Sequence, residues 1–261
     1  MLDPSQYSPD RSFGAKIKRR LTYWQAAEPM DHTPAEGIVS FTFDDFPKSA
    51  AQYGADILAR HDTLGTYYAC TGMREQTNIM GEMYGEDDLQ KLSSMGHEIG
   101  LHTHSHLDCS RVNSATVRDE IDQNIDGLNA LNRIPLVSHF AWPYGETTQK
   151  NKSTIGDLVS TARGILPGIN GRGSDLMQLS AFELTPNHKT TERATAAIEQ
   201  TARKGGWTII FTHDVRPQPS PFGTTPAALE RLVKLSKDAG LHVLPISNAF
   251  SHIQPDAVAA P

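Results

Sequence analysis

Adjacent carboxylates are the first feature of this sequence that is suited to catalysis. Asp44 and Asp45 directly follow the apolar run Ile38–Phe43. Two neighbouring carboxylates repel each other, so an active pair needs different functions: one could bind a metal ion while the other accepts a proton. A helix N-cap or a solvated turn would also explain the pair, because aspartate is common at both.

Closely spaced histidines are the second feature. His102 and His106 lie four residues apart, a spacing at which two imidazoles can bind one metal ion from a helical turn or a curled loop. Neutral imidazole is a common ligand of zinc and related transition metals. Thr103 stands where a zincin carries its catalytic glutamate, so that pattern is absent. His104 is expected to point away from the pair, and a polar loop without a ligand is the alternative interpretation.

Two further segments place polar or aromatic residues where predicted strands end. The run Thr208–Thr212 leads into His213, a titratable side chain that can exchange protons near neutral pH. The segment Phe140–Gly145 contains a proline and a glycine that indicate a sharp turn, and its aromatic side chains could line a pocket. A single histidine after a strand is more often structural, so these segments indicate an active site only in combination with the aspartate pair and the histidine pair.

Short apolar runs alternate with amphipathic segments along most of the chain. The runs predict seven strands: Ile38–Phe43, Gly65–Cys70, Glu98–His102, Val137–Ala141, Val159–Ile165, Thr208–Thr212 and Leu241–Ile246. The intervening segments predict five helices: Ser49–His61, Asp87–Ser94, Ser114–Leu131, Thr191–Lys204 and Pro226–Ala239. This alternation favours an α/β fold with a parallel sheet, and the lack of a glycine-rich nucleotide motif favours a barrel. In a barrel, the polar residues after the strands would share one rim.

The composition narrows the class of protein. The 261 residues are 38% hydrophobic, enough for one sizeable core, and we expect a single domain at 37–253 with an N-terminal extension at 1–36 and a tail at 254–261. A net charge of −6 disfavours nucleic acid as a partner. Cys70 and Cys109 are too few for a disulfide scaffold. No signal peptide or membrane span is recognisable, so a cytoplasmic location is the default expectation.

Four motifs in order resemble those of the polysaccharide deacetylase family (carbohydrate esterase family 4, with the chitooligosaccharide deacetylases), which removes N- or O-acetyl groups from sugars. They are TFDD at Thr42–Asp45, HTxxH at His102–His106, the PYG motif at Ala141–Gly145, and a hydrophobic strand that ends in His213-Asp214. Each motif is weak alone, but four in order are specific. The resemblance implies a distorted (β/α) barrel with about seven parallel strands and an acetylated sugar or oligosaccharide as substrate.

The resemblance also implies a metal site. Asp45, His102 and His106 would bind a divalent ion, with zinc preferred and cobalt, nickel or manganese as alternatives. The ion would polarise the acetyl carbonyl and acidify a bound water molecule.

Further roles follow from the same resemblance. Asp44 would be the general base, the backbone N–H of Tyr144 would complete the oxyanion site, and His213 would protonate the departing amine or alcohol. Three apolar residues would contact the substrate: Trp142, Pro143 and Phe211. Core packing is the alternative explanation for the two aromatic residues.

The chain departs from the family pattern in three places, one of which is Phe46, where a glycine commonly follows the aspartate pair. Ala141 stands where the family usually has an arginine that pairs with the base. Arg163, in the strand predicted directly after the one carrying Ala141, is the first candidate to replace it, followed by Arg74 and Arg216. The family's fourth motif, an acidic residue with a tryptophan, is not recognisable, and residues 164–188 are expected to form a loop of a different kind.

Other functions remain open at this point. A related amidohydrolase that cleaves a small cyclic amide or imide would use a similar barrel. A carbohydrate-binding pseudoenzyme is suggested by Ala141 and contradicted by Asp44. An iron oxygenase also uses two histidines and one carboxylate, but the second carboxylate and His213 fit hydrolysis better. The sequence leaves open the particular substrate, N- versus O-deacetylation, the native metal and the oligomeric state.

Overall fold

The helices and strands are taken from a computed structural model that describes Ser8, Asp10 and residues 12–131 and 138–254. In chain order, the strands are β1 (Ile38–Asp44), β2 (Thr66–Ala69), β3 (Thr77–Asn78), β4 (Gly81–Glu82), β5 (Glu98–Leu101), β6 (His139–Ala141), β7 (Thr161–Arg163), β8 (Phe182–Glu183), β9 (Trp207–Thr212) and β10 (His242–Val243). The α-helices are α1 (Phe13–Trp24), α2 (Ala55–Arg60), α3 (Glu86–Ser94), α4 (Ser114–Asn129), α5 (Gln149–Ile155), α6 (His188–Lys204), α7 (Pro226–Asp238) and α8 (Ile246–Ile253).

Eight of the described strands form one parallel sheet. Their order is β7-β6-β5-β2-β1-β9-β8, and β10 pairs with the start of β1. Every residue of β1 and β9 is buried, as expected for central parallel strands with both faces covered. The sheet curls and helices pack around it, which is the distorted (β/α) barrel that the sequence predicted.

The seven predicted strands are confirmed, and the eighth, β8, lies in the segment 164–188 that was expected to be a loop. Val137, the first residue of one predicted strand, lies outside the described residues. The last predicted strand shortens to β10 because Pro245 caps α8, which begins at Ile246. The segment predicted as one helix at Ser49–His61 is a π-helical turn, Ala50–Gly54, followed by α2.

Three helices were not predicted: α1, α5 and α8. The first lies in the region 1–36, and it packs on the barrel, since the buried Lys152 of α5 donates hydrogen bonds to the carbonyl oxygens of Thr22 (2.6 Å) and Gln25 (2.8 Å). Of the tail at 254–261, only Gln254 lies within the described residues. Across the described ranges, none of the helices is both long and apolar enough to cross a bilayer.

Candidate active site

The carboxyl ends of the central strands carry the polar residues that the sequence singled out. β1 ends at Asp44 and is followed by Asp45, β5 is followed by His102, and β9 is followed by His213. Because parallel strands of one sheet end at the same rim, these side chains meet there. They line a cavity of about 430 Å³. Eight of the predicted site residues line this cavity: Asp44, Asp45, His102, His106, Trp142, Tyr144, Phe211 and His213.

Three of these residues have the geometry of a metal site. The Nε2 atom of His102 lies 3.7 Å from Oδ1 of Asp45, and Nε2 of His106 lies 3.4 Å from Oδ2. The donor atoms of all three residues lie within 4.8 Å of one another. His102 donates from Nδ1 to the carbonyl oxygen of Ala141 at 2.7 Å, which leaves the lone pair of Nε2 free to bind a cation. Oδ1 of Asp45 is buried and has no hydrogen-bond partner among the described residues, so the set fits a divalent ion.

Burial keeps the two histidine ligands neutral, the form that binds a metal ion, but disfavours the charged form of the carboxylate ligand. It lowers the pKa of His102 to about 4 and that of His106 to about 3, so both imidazoles are neutral at pH 7. It also raises the pKa of Asp45, because a buried carboxylate lacks the solvation that stabilises its charge. A bound cation would supply the positive charge that this carboxylate lacks.

Backbone strain is concentrated around the same residues. Of the six non-glycine residues with positive φ in the described part of the chain, four lie here: Asp45 (52°), Thr103 (61°), His106 (55°) and Tyr144 (58°). The left-handed conformation costs an L-residue on the order of 1–3 kcal/mol and persists where the surrounding structure fixes it. The curled loop that results brings His102 and His106 together without a helix, with their ring centroids 5.0 Å apart.

A buried arginine pairs with the second carboxylate. Nη2 of Arg163 lies 2.5 Å from Oδ1 of Asp44 and also contacts Oδ2. Its guanidinium lies over the rings of Tyr68 (5.3 Å) and Phe211 (4.8 Å). Burial alone would raise the pKa of Asp44, but the charge of Arg163 and the nearby histidines hold it below its usual value. Arg163 is the register partner of Ala141 across β6 and β7, so it enters the site from the strand beside the expected position.

His213 is oriented by the loop that follows it. Its Nδ1 lies 3.2 Å from the carbonyl oxygen of Phe222, which can only accept a hydrogen bond, so Nε2 is left for proton exchange with a substrate. The buried Asp214 organises this loop by accepting from the backbone N–H of Ser220 and from Nε of Arg216, both at 2.8 Å. Arg216 therefore pairs with Asp214 and not with Asp44.

The remaining predicted residues either line the cavity or support the backbone around it. Trp142 and Phe211 line the cavity, and the indole N–H of Trp142 donates to the carbonyl oxygen of Met177 at 2.9 Å. Pro143 is buried and is not among the residues that line the cavity; it begins the short 3₁₀ turn that carries Tyr144. His104 turns away toward the hydroxyl of Thr71, 2.9 Å from its Nδ1.

Two acidic residues of the cavity were missed from the sequence. Glu146 follows the PYG turn directly, and its position beside a motif was a usable signal. Glu183 lines the cavity that also contains His213, and it pairs in register with Phe211. The two residues of β8 carry no sequence pattern that predicts where Glu183 lies. Only the pairing of β8 with β9 brings Glu183 to the rim.

A comparison with protein families matches residues 31–159 to the polysaccharide deacetylase model, and this span contains TFDD, HTxxH and the PYG turn. Over these residues, the chain is similar to members of the polysaccharide deacetylase family. Arg163 and His213 lie beyond the matched span, so their assignment depends on the geometry of the fold.

Relatives support the same family. A chitin deacetylase of Arthroderma benhamiae is 27% identical over 223 residues, which cover 84% of this chain and 53% of that protein. The chain therefore spans about half the length of this relative. Among solved structures, the chitin deacetylase of Colletotrichum lindemuthianum has a TM-score of 0.63 at 19% identity, covering 86% of this chain and 92% of that one. A family 4 acetyl xylan esterase of Clostridium thermocellum, solved with a cobalt ion, has a TM-score of 0.58 at 24% identity, covering 82% and 90%.

Proposed function

We propose that this chain is a metal-dependent hydrolase that removes N- or O-acetyl groups from a carbohydrate. The observation that carries the proposal is the buried Asp45, His102 and His106 cluster beside the Asp44–Arg163 ion pair, with His213 in the same cavity. This combination provides a metal ligand set, a base and an acid in one place. The names of the relatives, a chitin deacetylase and an acetyl xylan esterase, support acetyl groups on sugars as the target.

Asp45, His102 and His106 would hold the ion, which would polarise the acetyl carbonyl and lower the pKa of a bound water molecule. Zinc is our first choice because two imidazoles and one carboxylate are a common catalytic zinc ligand set. Cobalt, nickel and manganese are the alternatives, and the C. thermocellum relative was solved with cobalt.

The two proton transfers of the reaction are assigned to Asp44 and His213. Asp44, kept ionised by Arg163, accepts the proton of the attacking water. His213 donates a proton to the departing amine or alcohol, and the backbone N–H of Tyr144 stabilises the developing oxyanion. Trp142 and Phe211 contact the acetyl methyl group. The presence of Arg163 beside the base favours an active enzyme over the pseudoenzyme that Ala141 suggested.

The test is acetate release by protein stripped of metal with EDTA and reloaded with zinc, cobalt, nickel or manganese. Chitooligosaccharides, acetylated xylan, peptidoglycan fragments and cyclic imides are the substrates to compare. We expect activity that depends on one bound ion per chain and is confined to acetylated saccharides. Hydrolysis of cyclic imides alone would favour the amidohydrolase alternative.

The metal ligands are tested by His106→Ala. Only one imidazole and one carboxylate would then remain, so metal content and activity should fall together. His104→Ala is the matched control, because His104 lies in the same loop but faces Thr71, and it should keep its ion. Full metal occupancy in His106→Ala would show that the site is assigned wrongly.

A further inference from the structure

The helix α1 carries an apolar stripe on the outside of the barrel, formed by Phe13, Ile17, Leu21 and Trp24. Successive members are three or four residues apart, so they share one face of the helix. Their side chains are 79%, 44%, 48% and 67% exposed, whereas Thr22 on the opposite face is 5% exposed. These four are half of the eight large hydrophobic side chains that are exposed in the described part of the chain. The stripe is therefore a surface that the barrel itself does not cover.

Two hydrogen bonds keep the stripe turned outward. Nε of Arg19 donates to Oε1 of Glu146 at 2.6 Å. The carbonyl oxygen of Thr22 accepts from Nζ of Lys152, also at 2.6 Å. Arg19 and Thr22 lie on the side of the helix away from the stripe, because successive residues are rotated by about 100°. Turning the stripe toward the barrel would break both bonds.

Basic residues flank the stripe. The sequence of α1 contains four basic residues and no acidic one, although the chain as a whole has a net charge of −6. Lys18 and Arg20 are both exposed, and the helical rotation places them on opposite flanks of the stripe. Cζ of Arg20 lies 5.5 Å from the centroid of the Trp24 ring. An apolar stripe between basic flanks is typical of helices that lie in the interface of a membrane.

We propose that α1 binds the surface of a bilayer that contains anionic phospholipids. The stripe would enter the boundary between headgroups and acyl chains, while Lys18 and Arg20 would contact the lipid phosphates. Trp24 fits this depth, because an indole has an apolar body and a polar N–H. With 12 residues, α1 would lie in the plane of the interface and not cross the bilayer.

A second copy of this chain fits the stripe less well than a lipid surface does. In a symmetric dimer the same face meets itself, so the basic flanks of the two helices would lie against each other and repel. Anionic headgroups would instead complement these charges. Binding of α1 to lipid is separate from the proposed hydrolytic reaction and requires no metal ion.

The test mixes the full chain with vesicles of equal parts phosphatidylcholine and phosphatidylglycerol, and with vesicles of phosphatidylcholine alone. We expect the protein to sediment with the mixed vesicles, to bind phosphatidylcholine much more weakly, and to be released by salt. The chain has three tryptophans, and Trp142 and Trp207 are buried. A shift of the emission to shorter wavelength on binding would therefore report the transfer of Trp24 into the lipid.

Ile17→Ser should weaken binding to the mixed vesicles about tenfold, because the stripe loses most of the apolar area of one side chain. Replacing both Lys18 and Arg20 with Gln should weaken it about thirtyfold, since each basic residue near an anionic surface contributes about fivefold. Ile79→Ser is the matched control. Ile79 is as exposed as Ile17, at 43%, but lies in the turn between β3 and β4, so this variant should bind like the wild type.

Three results would overturn the inference: no binding of the wild type to the mixed vesicles, equal binding to both lipid compositions, or equal losses in Ile17→Ser and Ile79→Ser. Sedimentation equilibrium without lipid tests the second copy. A dimer that Ile17→Ser dissociates, together with no binding to vesicles, would assign the stripe to self-association and overturn the inference. Each of these outcomes leaves the proposed hydrolase function intact, because that function is measured by acetate release.

Discussion

Two carboxylates that are neighbours in the chain have opposite pKa shifts in the structure. Burial raises the pKa of Asp45, whereas the guanidinium of Arg163 helps to hold that of Asp44 below its usual value. A group that stays ionised without a metal suits a base, and a buried carboxylate without a fixed cation suits a metal ligand. The surroundings of the two residues, not their type, therefore separate their proposed functions.

Asp44→Asn should keep the metal and lose most turnover, because the amide has nearly the same shape but cannot accept the proton. A general base typically contributes about 10² to 10⁴ in rate. Metal content and kcat for acetate release are the measurements. Asp45→Asn is the comparison, and its metal content should fall. If Asp44→Asn loses its metal and Asp45→Asn keeps it, the functions of the two residues are reversed.

Arg163→Met should move the acidic limb of the activity profile to higher pH with unchanged metal content. The charge of Arg163 lowers the pKa of Asp44, so its removal raises that pKa, and the base becomes protonated at a higher pH. The measurement is kcat/KM from pH 4 to 8. Arg74→Met, which removes the second candidate that the sequence offered, should leave the limb in place. An acidic limb that does not move in Arg163→Met would exclude Arg163 as the support of the base.

At the scale of the elements, one buried lysine holds the N-terminal helix on the barrel. Nζ of Lys152 lies 2.7 Å from Oδ2 of Asp175 and 3.2 Å from Oε1 of Gln178, in addition to its bonds to Thr22 in α1 and to Gln25 directly after it. A buried ammonium is costly unless its hydrogen bonds are satisfied, and these four acceptors satisfy it. Lys152 is therefore the buried contact that holds the C-terminal part of α1 on the barrel, beside the partly buried hydrogen bond of Arg19 to Glu146.

Lys152→Met should lower the free energy of unfolding by about 3–5 kcal/mol, because it leaves Asp175 buried without its cation. It should also expose α1 to proteases, since the carbonyl oxygens of Thr22 and Gln25 lose their donor. Urea unfolding and limited proteolysis are the measurements. Lys150→Met, at an exposed position of the same helix, is the control and should change neither. Wild-type proteolysis of the Lys152 variant would show that α1 is held by other contacts.

At the scale of the whole molecule, the barrel keeps several histidines buried and neutral. Burial lowers their pKa values well below 6.5: to about 4 for His97, His102 and His139, and to about 3 for His106. As the pH falls, the histidines of the unfolded chain therefore become protonated at a higher pH than the same residues in the folded chain. The stability that these groups contribute is present above pH 6.5 and is lost as the pH falls toward 4.

The metal-free protein should therefore unfold more easily on acidification from pH 7 to 4.5. Each histidine contributes at most about 1.4 kcal/mol per pH unit, and the raised pKa values of Asp45 and Glu98 act in the opposite sense. Urea midpoints in EDTA measure the effect. His188→Gln, an exposed histidine, should keep the wild-type dependence. A urea midpoint of the wild type that does not change between pH 7 and 4.5 would contradict the conclusion that these histidines are buried and neutral.

The sequence alone determined the fold class, the resemblance to the polysaccharide deacetylase family and the residues that meet at the rim. Each of TFDD, HTxxH and the strand before His213 ends an apolar run, and parallel strands must end at one edge, so their order predicts their meeting. The position of Arg163 near the rim could be predicted from the sequence for the same reason, because the consecutive strands β6 and β7 are neighbours in the sheet.

The tertiary structure decided what depends on contacts between distant residues. β8 has two residues and forms because it pairs with β9, so Glu183 has no local signal. The place of α1 depends on the bond from Lys152 to Thr22, which are 130 residues apart. Local patterns record the preferences of neighbouring residues, whereas these features arise from burial and hydrogen bonds that form only once the barrel has folded.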